Sequence, residues 1–354
     1  MKKWLTLFLL ILLLTSTQQN KARWGFFGHK RIGRLAVYSL PPEMFRFYKH
    51  YITYLTEEAV NPDARRYAVE GEAERHFIDV DVYDKFYNDS AVYKMPRYWK
   101  QAVEQYTEDT LKAYGINPWH VHKMTQELTR AFQQKDTKRI LRISADLGHY
   151  IADGNVPLHT TENYNGQLSG QVGIHGFWES RLPELYADDY DVLVGKATYI
   201  KNTQLAAWQN VINAHEALDS VLRFEKELTA QFPEDKKFVF EDRNNITIRT
   251  YSREFSRAYH QRLNGQVERR FKASVKNVAD FWYTAWVNAG QPNLDELIDA
   301  DLEEQLQKES EQEKENWKNK KIQVRPSEET SSLNDNYLEF SPCCHLAHQK
   351  KRTK

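Results

Sequence analysis

TKRILRISADLGHYIADGNVPLH, residues 137–159, decides how the chain is read. Ile140, Ile143, Leu147 and Ile151 recur at helical spacing and mark one apolar face. Gly154 offers a C-terminal cap and Pro157 prevents continuation, so the spacing predicts a helix ending near residue 154. His149 and Asp153 then stand one turn apart on one face. The sharp exit GNVPLH can return His159 toward that face. Buried imidazoles and carboxylates cost stability unless something binds them, which raises the question of what else converges there.

Glycine and proline are sparse in the rest of the chain, and VYKMPRYWKQAVEQYTEDTLKAYG, WHVHKMTQELTRAFQQ and SVKNVADFWYTAWVNAG also favour helical spacing. The fold class expected is all-α, a multi-helix domain. FVFEDRNNITIRTYS (238–252) is the one passage with the pattern of a short strand pair, turning at Asn244 and Asn245. The aromatic residues of RYWKQAVEQY and DFWYTAW sit at helical spacing and read as core.

The 354 residues carry 49 Lys plus Arg and 49 Asp plus Glu, so no global imbalance advertises a nucleic acid or an anionic membrane as partner. A polyanionic substrate has to be held locally, for example by metal ions. Residues 1–23 have the layout of a signal peptide, with two lysines, an apolar run from Trp4 to Leu14 and then small and polar residues. That run is well short of the roughly 20 residues that span a bilayer. The protein is read as exported, periplasmic or secreted. Its two cysteines, Cys343 and Cys344, are adjacent near the end, so there is no disulfide framework, and CCHLAH reads as incidental. The main domain is placed at 24–292. Residues 293–354 read as a charged helical extension and a polar tail outside the catalytic core.

A histidine followed four positions later by an acid proves little alone, since 12 histidines and 49 acids give roughly one or two such pairs by chance. Three occur: His149 with Asp153, His175 with Glu179, and His215 with Asp219. The third has no further ligand-like residue close by and is assigned to a solvated helix face. The first two lie in one neighbourhood with His159 between them, and five ligands exceed what one tetrahedral zinc needs, so the count points to more than one metal. Upstream, Asp63 in NPDARR, His76 in EGEAERHFIDVD and His29 in RWGFFGHKRI are weaker candidates taken singly.

In this order, WGFFGH, PDARR, HFIDVD, LGHYIADGNVPLH and HGFWES resemble the superfamily that joins the bacterial zinc-dependent phospholipases C to the S-one/P-one type single-strand nucleases of fungi and plants. The resemblance spans about residues 24–185 by motif. It implies an all-helical fold holding three Zn2+ ions. One would take His76 and His149, with Asp63 as ligand or holder of water. A second would take His159, His175 and Glu179. Asp153 would bridge toward a third, held by His29 and by the amino nitrogen and carbonyl oxygen of Trp24 as mature N-terminus. Neutral imidazole and carboxylate suit zinc, and clustered divalent ions polarise a phosphoryl oxygen and activate water. Asp63 is the residue expected to orient or deprotonate the attacking water.

The expected reaction is therefore hydrolysis of a phosphodiester, in single-stranded nucleic acid or phospholipid. The spacing of Trp24 and His29 resembles the nucleases, whereas Glu179 and the short connection from His159 to His175 resemble the phospholipases, so both branches stay open. Phe77, beside His76, suits stacking on a base, lining a headgroup pocket or packing in the core. A metallopeptidase is disfavoured by the absence of HExxH. The competing non-enzymatic reading is a helical metal-binding protein with no open coordination position.

Overall fold

The computed structural model describes residues 26–243 and 246–325. Trp24, the signal-peptide region, the Asn244–Asn245 turn and the CCHLAH stretch lie outside the described residues. Helices dominate, and the only sheet among the described residues is one hairpin. None of the described helices is long and apolar enough to cross a membrane.

Eight helices position the site or brace it: α1 (Phe26–Val37), α2 (Ile52–Glu58), α3 (Asn61–Arg65), α4 (Asn117–Gln133), α5 (Thr137–Asp153), α6 (Thr203–Gln231), α7 (Gln266–Asn288) and α8 (Leu302–Lys318). The central one is α5. The Asp136 side chain caps its start by accepting from the Arg139 N–H at 3.0 Å, which contributes about 1 kcal/mol. Ile140, Ile143, Leu147 and Ile151 are all buried, as is every residue from Ser144 to Asp153. A helix buried all round must put its polar groups where they are bound, and that is where its two His/Asp positions fall. Behind it runs α7, close enough at Gly148 that a Cβ there would lie 3.5 Å from Trp282 and Val278. The Trp282 indole N–H reaches the Ser144 carbonyl at 3.0 Å. Phe281, Trp282 and Trp286 are buried, in keeping with the core reading of DFWYTAW.

Gly154 caps the C-terminus of α5 as read, with a right-handed backbone, φ −62° and ψ −9°. The reason for glycine is space: a Cβ would sit 2.9 Å from the Asn117 side-chain oxygen, and Asn117 donates from its Nδ2 to the carbonyls of Tyr150 and Arg75. From there Asn155 and Val156 turn back on Ala152 and Asp153, and a short 3-10 turn, Pro157–Thr160, delivers His159.

The strand pair forms as read: β1 (Phe238–Arg243) is antiparallel to β2 (Ile246–Tyr251), with Phe238 opposite Tyr251. It braces the helical stretch 174–186. Tyr251 stacks on Phe177 at 3.8 Å, and the Arg181 guanidinium meets Glu241.

The charged extension is not detached. Leu294, Leu302 and Leu306 belong to the same apolar core as α1, α5 and α7, so residue 292 marks no structural boundary. Leu302, Leu306 and Ser310 lie on one stripe of α8, and this small buried face of two leucines and a serine, outvoted in composition by the charges around it, docks the helix. Lys314 and Ser310 both reach the buried Glu58 carboxylate, which also accepts from Asn61 at the start of α3. The extension therefore braces the short helix that carries Asp63.

Candidate metal centre

Eight side chains from six segments converge. His29 comes from α1, Asp63 from α3, His76 from the loop after a 3-10 turn, His149 and Asp153 from α5, His159 from its exit, and His175 and Glu179 from the stretch 174–186. The latter pair spans a π turn at Phe177–Arg181, a wider turn that often occurs at functional sites. All eight of these predicted positions come together. The ninth, Trp24, lies outside the described residues.

Their contacts fall into overlapping triads. Asp153 Oδ2 lies 3.0 Å from His76 Nδ1 and 3.3 Å from His149 Nε2, while Asp63 Oδ1 is 3.5 Å from each of the same nitrogens. Glu179 Oε2 lies 2.7 Å from His175 Nε2 and 3.4 Å from His159 Nε2. His29 Nε2 sits between the two groups, 3.3 Å from Asp153 Oδ1 and 3.4 Å from Glu179 Oε1. Its ring stacks on that of His149 at 3.9 Å. Asp153 thus faces both sides, as expected. Glu179 does the same with its second oxygen, a placement not legible from the chain alone.

The tautomers are set from behind. His149 Nδ1 donates to the Ala59 carbonyl at 2.8 Å, His159 Nδ1 to the His76 carbonyl at 2.7 Å, and His175 Nδ1 to the Tyr164 carbonyl at 2.9 Å. A carbonyl only accepts, so Nδ1 carries a proton in each of these rings and Nε2 is the nitrogen turned inward. Those nitrogens meet carboxylate oxygens, and His149 Nε2 also lies 3.1 Å from His76 Nδ1. A cation, either a proton or a metal ion, is what such nitrogens and carboxylate oxygens can share. Two further buried nitrogens, His29 Nδ1 and His76 Nε2, have no hydrogen-bond partner.

The electrostatics agree. Burial pushes the Asp63 carboxyl up, but the imidazoles of His149, His76 and His29 override it and hold it below the usual carboxylate range. Burial likewise opposes Asp153 and Glu179, and their histidine neighbours hold both well below. For His149 burial favours the neutral ring, but Asp153 and Asp63 drive it well above its ordinary value. The three carboxylates demand positive charge, which protons on the rings or metal ions can supply. The donor set, imidazole nitrogens and carboxylate oxygens in triads, fits zinc-like ions.

Behind His76 lies a cluster missed in the sequence. Glu72 is fully buried and accepts from Arg65, Arg75 and the Tyr150 hydroxyl, and its Oε1 lies 3.8 Å from His76 Nε2. It stands four residues before His76 in EGEAERH, a spacing visible in the chain but not separable there from the neighbouring acids. The loop 114–117 holds this segment: Ile116 N donates to Glu74, Asn117 N to Phe77, and Asp79 N to Tyr114. Gly115, at φ +90°, passes so close to the Phe77 carbonyl that no side chain fits.

The third pair does not join the site. Asp219 is exposed and pairs with Arg223 on the next turn. His215 departs from its solvated reading: it is half-buried, with Nδ1 3.0 Å from the Thr160 hydroxyl.

No family model matches the sequence, and no curated protein matches it. Among solved structures, the chain is similar to Clostridium perfringens alpha-toxin from avian strain SWCP, with 14% identity and a TM-score of 0.41. That match covers 76% of this chain and 65% of the toxin chain, so it spans less than two thirds of the toxin's length.

Proposed function

We propose that the protein is an exported, zinc-dependent hydrolase of phosphoric esters. The observation that carries this is the set of three histidines whose Nδ1–H groups are donated to backbone carbonyls and whose Nε2 atoms face the carboxylates of Asp153 and Glu179. Such preset rings are metal ligands in waiting. His76, His149, Asp63 and Asp153 would hold one ion, His159, His175 and Glu179 a second, and His29 with Asp153 and Glu179 would supply donors for a third. Bound there, clustered divalent ions supply Lewis acidity and lower the pKa of water.

The chain's own residues do the rest. Asp63 and Glu179 are the more open carboxylates, with 16% and 15% of their side chains exposed against 1% for Asp153, and of these two Asp63 faces His76 and His149. Its low pKa keeps it ionised, so it can accept a hydrogen bond from the attacking water and aim it. Asp153, which is buried, and Glu179, which is partly exposed, each span two triads and fix the spacing between them.

The test is metal content of the purified full chain, measured beside hydrolysis of single-stranded DNA and of phosphatidylcholine, with His159→Ala alongside. Two or three zinc ions per chain, with turnover of one substrate by wild type alone, supports the reading and chooses the branch. Absence of zinc, or equal turnover by the variant, overturns it. Zinc without turnover of either substrate favours the non-catalytic metal-binding protein.

A further inference from the structure

The extension ends, among the described residues, at an unusual contact. After α8 the chain runs back over the molecule, tied by Ile322 N to the Tyr67 carbonyl at 2.8 Å. Arg325 then enters a slot between two rings, its guanidinium carbon 3.9 Å from the Phe77 centroid and 3.8 Å from that of Tyr164. One terminal nitrogen donates to both oxygens of Asp79, at 2.8 and 2.7 Å, and the other faces the Thr161 carbonyl at 3.5 Å. Asp79 is buried, and only 17% of the Arg325 side chain is exposed.

The slot adjoins the cluster. Phe77 follows His76 in the chain. The Tyr164 carbonyl accepts from His175, and its ring lies 6.5 Å from the imidazole of His175. Arg325 is not needed to join these two segments. Thr161 Oγ1 already donates to Asp81 at 2.6 Å, Glu162 N reaches the same carboxylate at 3.0 Å, and Ile78 N bonds the His159 carbonyl at 2.9 Å. What Arg325 adds is occupancy: a flat cation fills a flat gap that has a carboxylate at its end. Stacking on aromatic faces, with an edge donating to a carboxylate, is chemistry that a guanidinium shares with an amino-bearing heteroaromatic ring.

We propose that residues 319–325 form a self-inhibiting latch, in which Arg325 occupies a stacking slot beside the cluster and must leave before a substrate places a flat, hydrogen-bond-donating group there. The identity of the displacing substrate rests on the phosphoric-ester reading; the closure of the slot does not.

The experiment compares the full-length wild type with Arg325→Ala and Arg325→Lys. Binding of deoxyadenosine and of N-ethylguanidinium is measured by calorimetry on chelator-treated protein, and kcat and KM on a single-stranded oligonucleotide with zinc. The latch requires Arg325→Ala to bind at least one probe about tenfold or more tightly than wild type. Arg325→Lys, which keeps the charge but not the flat face, should gain less. Which probe gains tells a heteroaromatic occupant from a guanidinium one. On the oligonucleotide, KM should fall with kcat unchanged. Unchanged or weaker probe binding, or a raised KM, overturns the latch. If Arg325→Ala fails to fold, Arg325→Lys decides alone: tighter binding supports the latch and unchanged binding overturns it. Tighter probe binding without turnover by any protein would sink the hydrolase reading and leave the latch standing; turnover without any gain in binding would do the reverse.

Discussion

Two clusters of buried charge lie side by side along α5 and are built on opposite plans. Asp146 and Tyr150, one turn apart, face Glu72, Arg65 and Arg75: Arg65 holds Glu72 through Nε and Nη2 and grips Asp146 with both terminal nitrogens, while the Tyr150 hydroxyl closes on Glu72. Burial pushes Glu72 up, but Arg65 overrides it and holds the carboxyl at about 2. His149 and Asp153, also one turn apart, face Asp63, His76, His29 and Glu179, where the partners are imidazoles whose protons are committed to backbone carbonyls in three of five cases. The first cluster carries guanidinium countercharges of its own and supports the fold. The second is built to take positive charge from elsewhere. What separates a structural cluster from a binding site here is whether the countercharge is covalently part of the chain.

The contrast can be broken in graded ways. The largest effect is expected from His149→Ala, which should lose bound metal and slow turnover by at least about 10⁴-fold, on the order of 5 kcal/mol of barrier; retained zinc and near-normal rates would show that the second cluster is no binding site. Arg65→Ala should cost about 3–5 kcal/mol of stability in urea melts, because it strands the buried Asp146 and leaves Glu72 with Arg75 as its one guanidinium, and a cost below about 1 kcal/mol would dissolve the distinction.

Asp79 is the intermediate case, a buried carboxyl facing one guanidinium, with Asp81 and Glu162 opposing ionisation. Its folded pKa of about 6 is above the ordinary carboxyl value of 3.8, so the folded protein favours the protonated form. This contribution is full below about pH 4 and falls by roughly 3 kcal/mol as the pH rises to about 6. Melts between pH 4 and 7 should show that decline in wild type and not in Asp79→Asn; parallel curves would refute it. The smallest effect belongs to Glu72→Gln, which touches both clusters. Weakening the support behind His76 should reduce zinc affinity about tenfold in a competition titration, while an unchanged affinity would confine Glu72 to the structural cluster.

Much of the site was legible because its spacings are local. His149 with Asp153, and His175 with Glu179, follow from helix geometry, and the exit at Pro157 was enough to bring His159 round. Other features depend on the packed interior. Gly154 reads as a cap but is required by Asn117, 37 positions away in sequence and adjacent only after folding. The buried stripe of α8 is two leucines and a serine in a run of charge, too thin to register until Glu58 and α3 are placed against it. His215 looked solvated because nothing in its own helix signals the Thr160 hydroxyl above it. Arg325 meets Asp79 across 246 positions, a contact that no periodicity encodes.

The His76 peptide has a consequence for assembly. Its side chain belongs to one triad, while its carbonyl oxygen, at 2.7 Å, holds the Nδ1 proton of His159 in the other. An ion that settles the first ring also settles the acceptor that aims the second. Occupation of the two positions should therefore be ordered and mutually reinforcing: calorimetric filling should show the second ion binding to a partner already set in place, and a chain caught with a single ion should be a minor species.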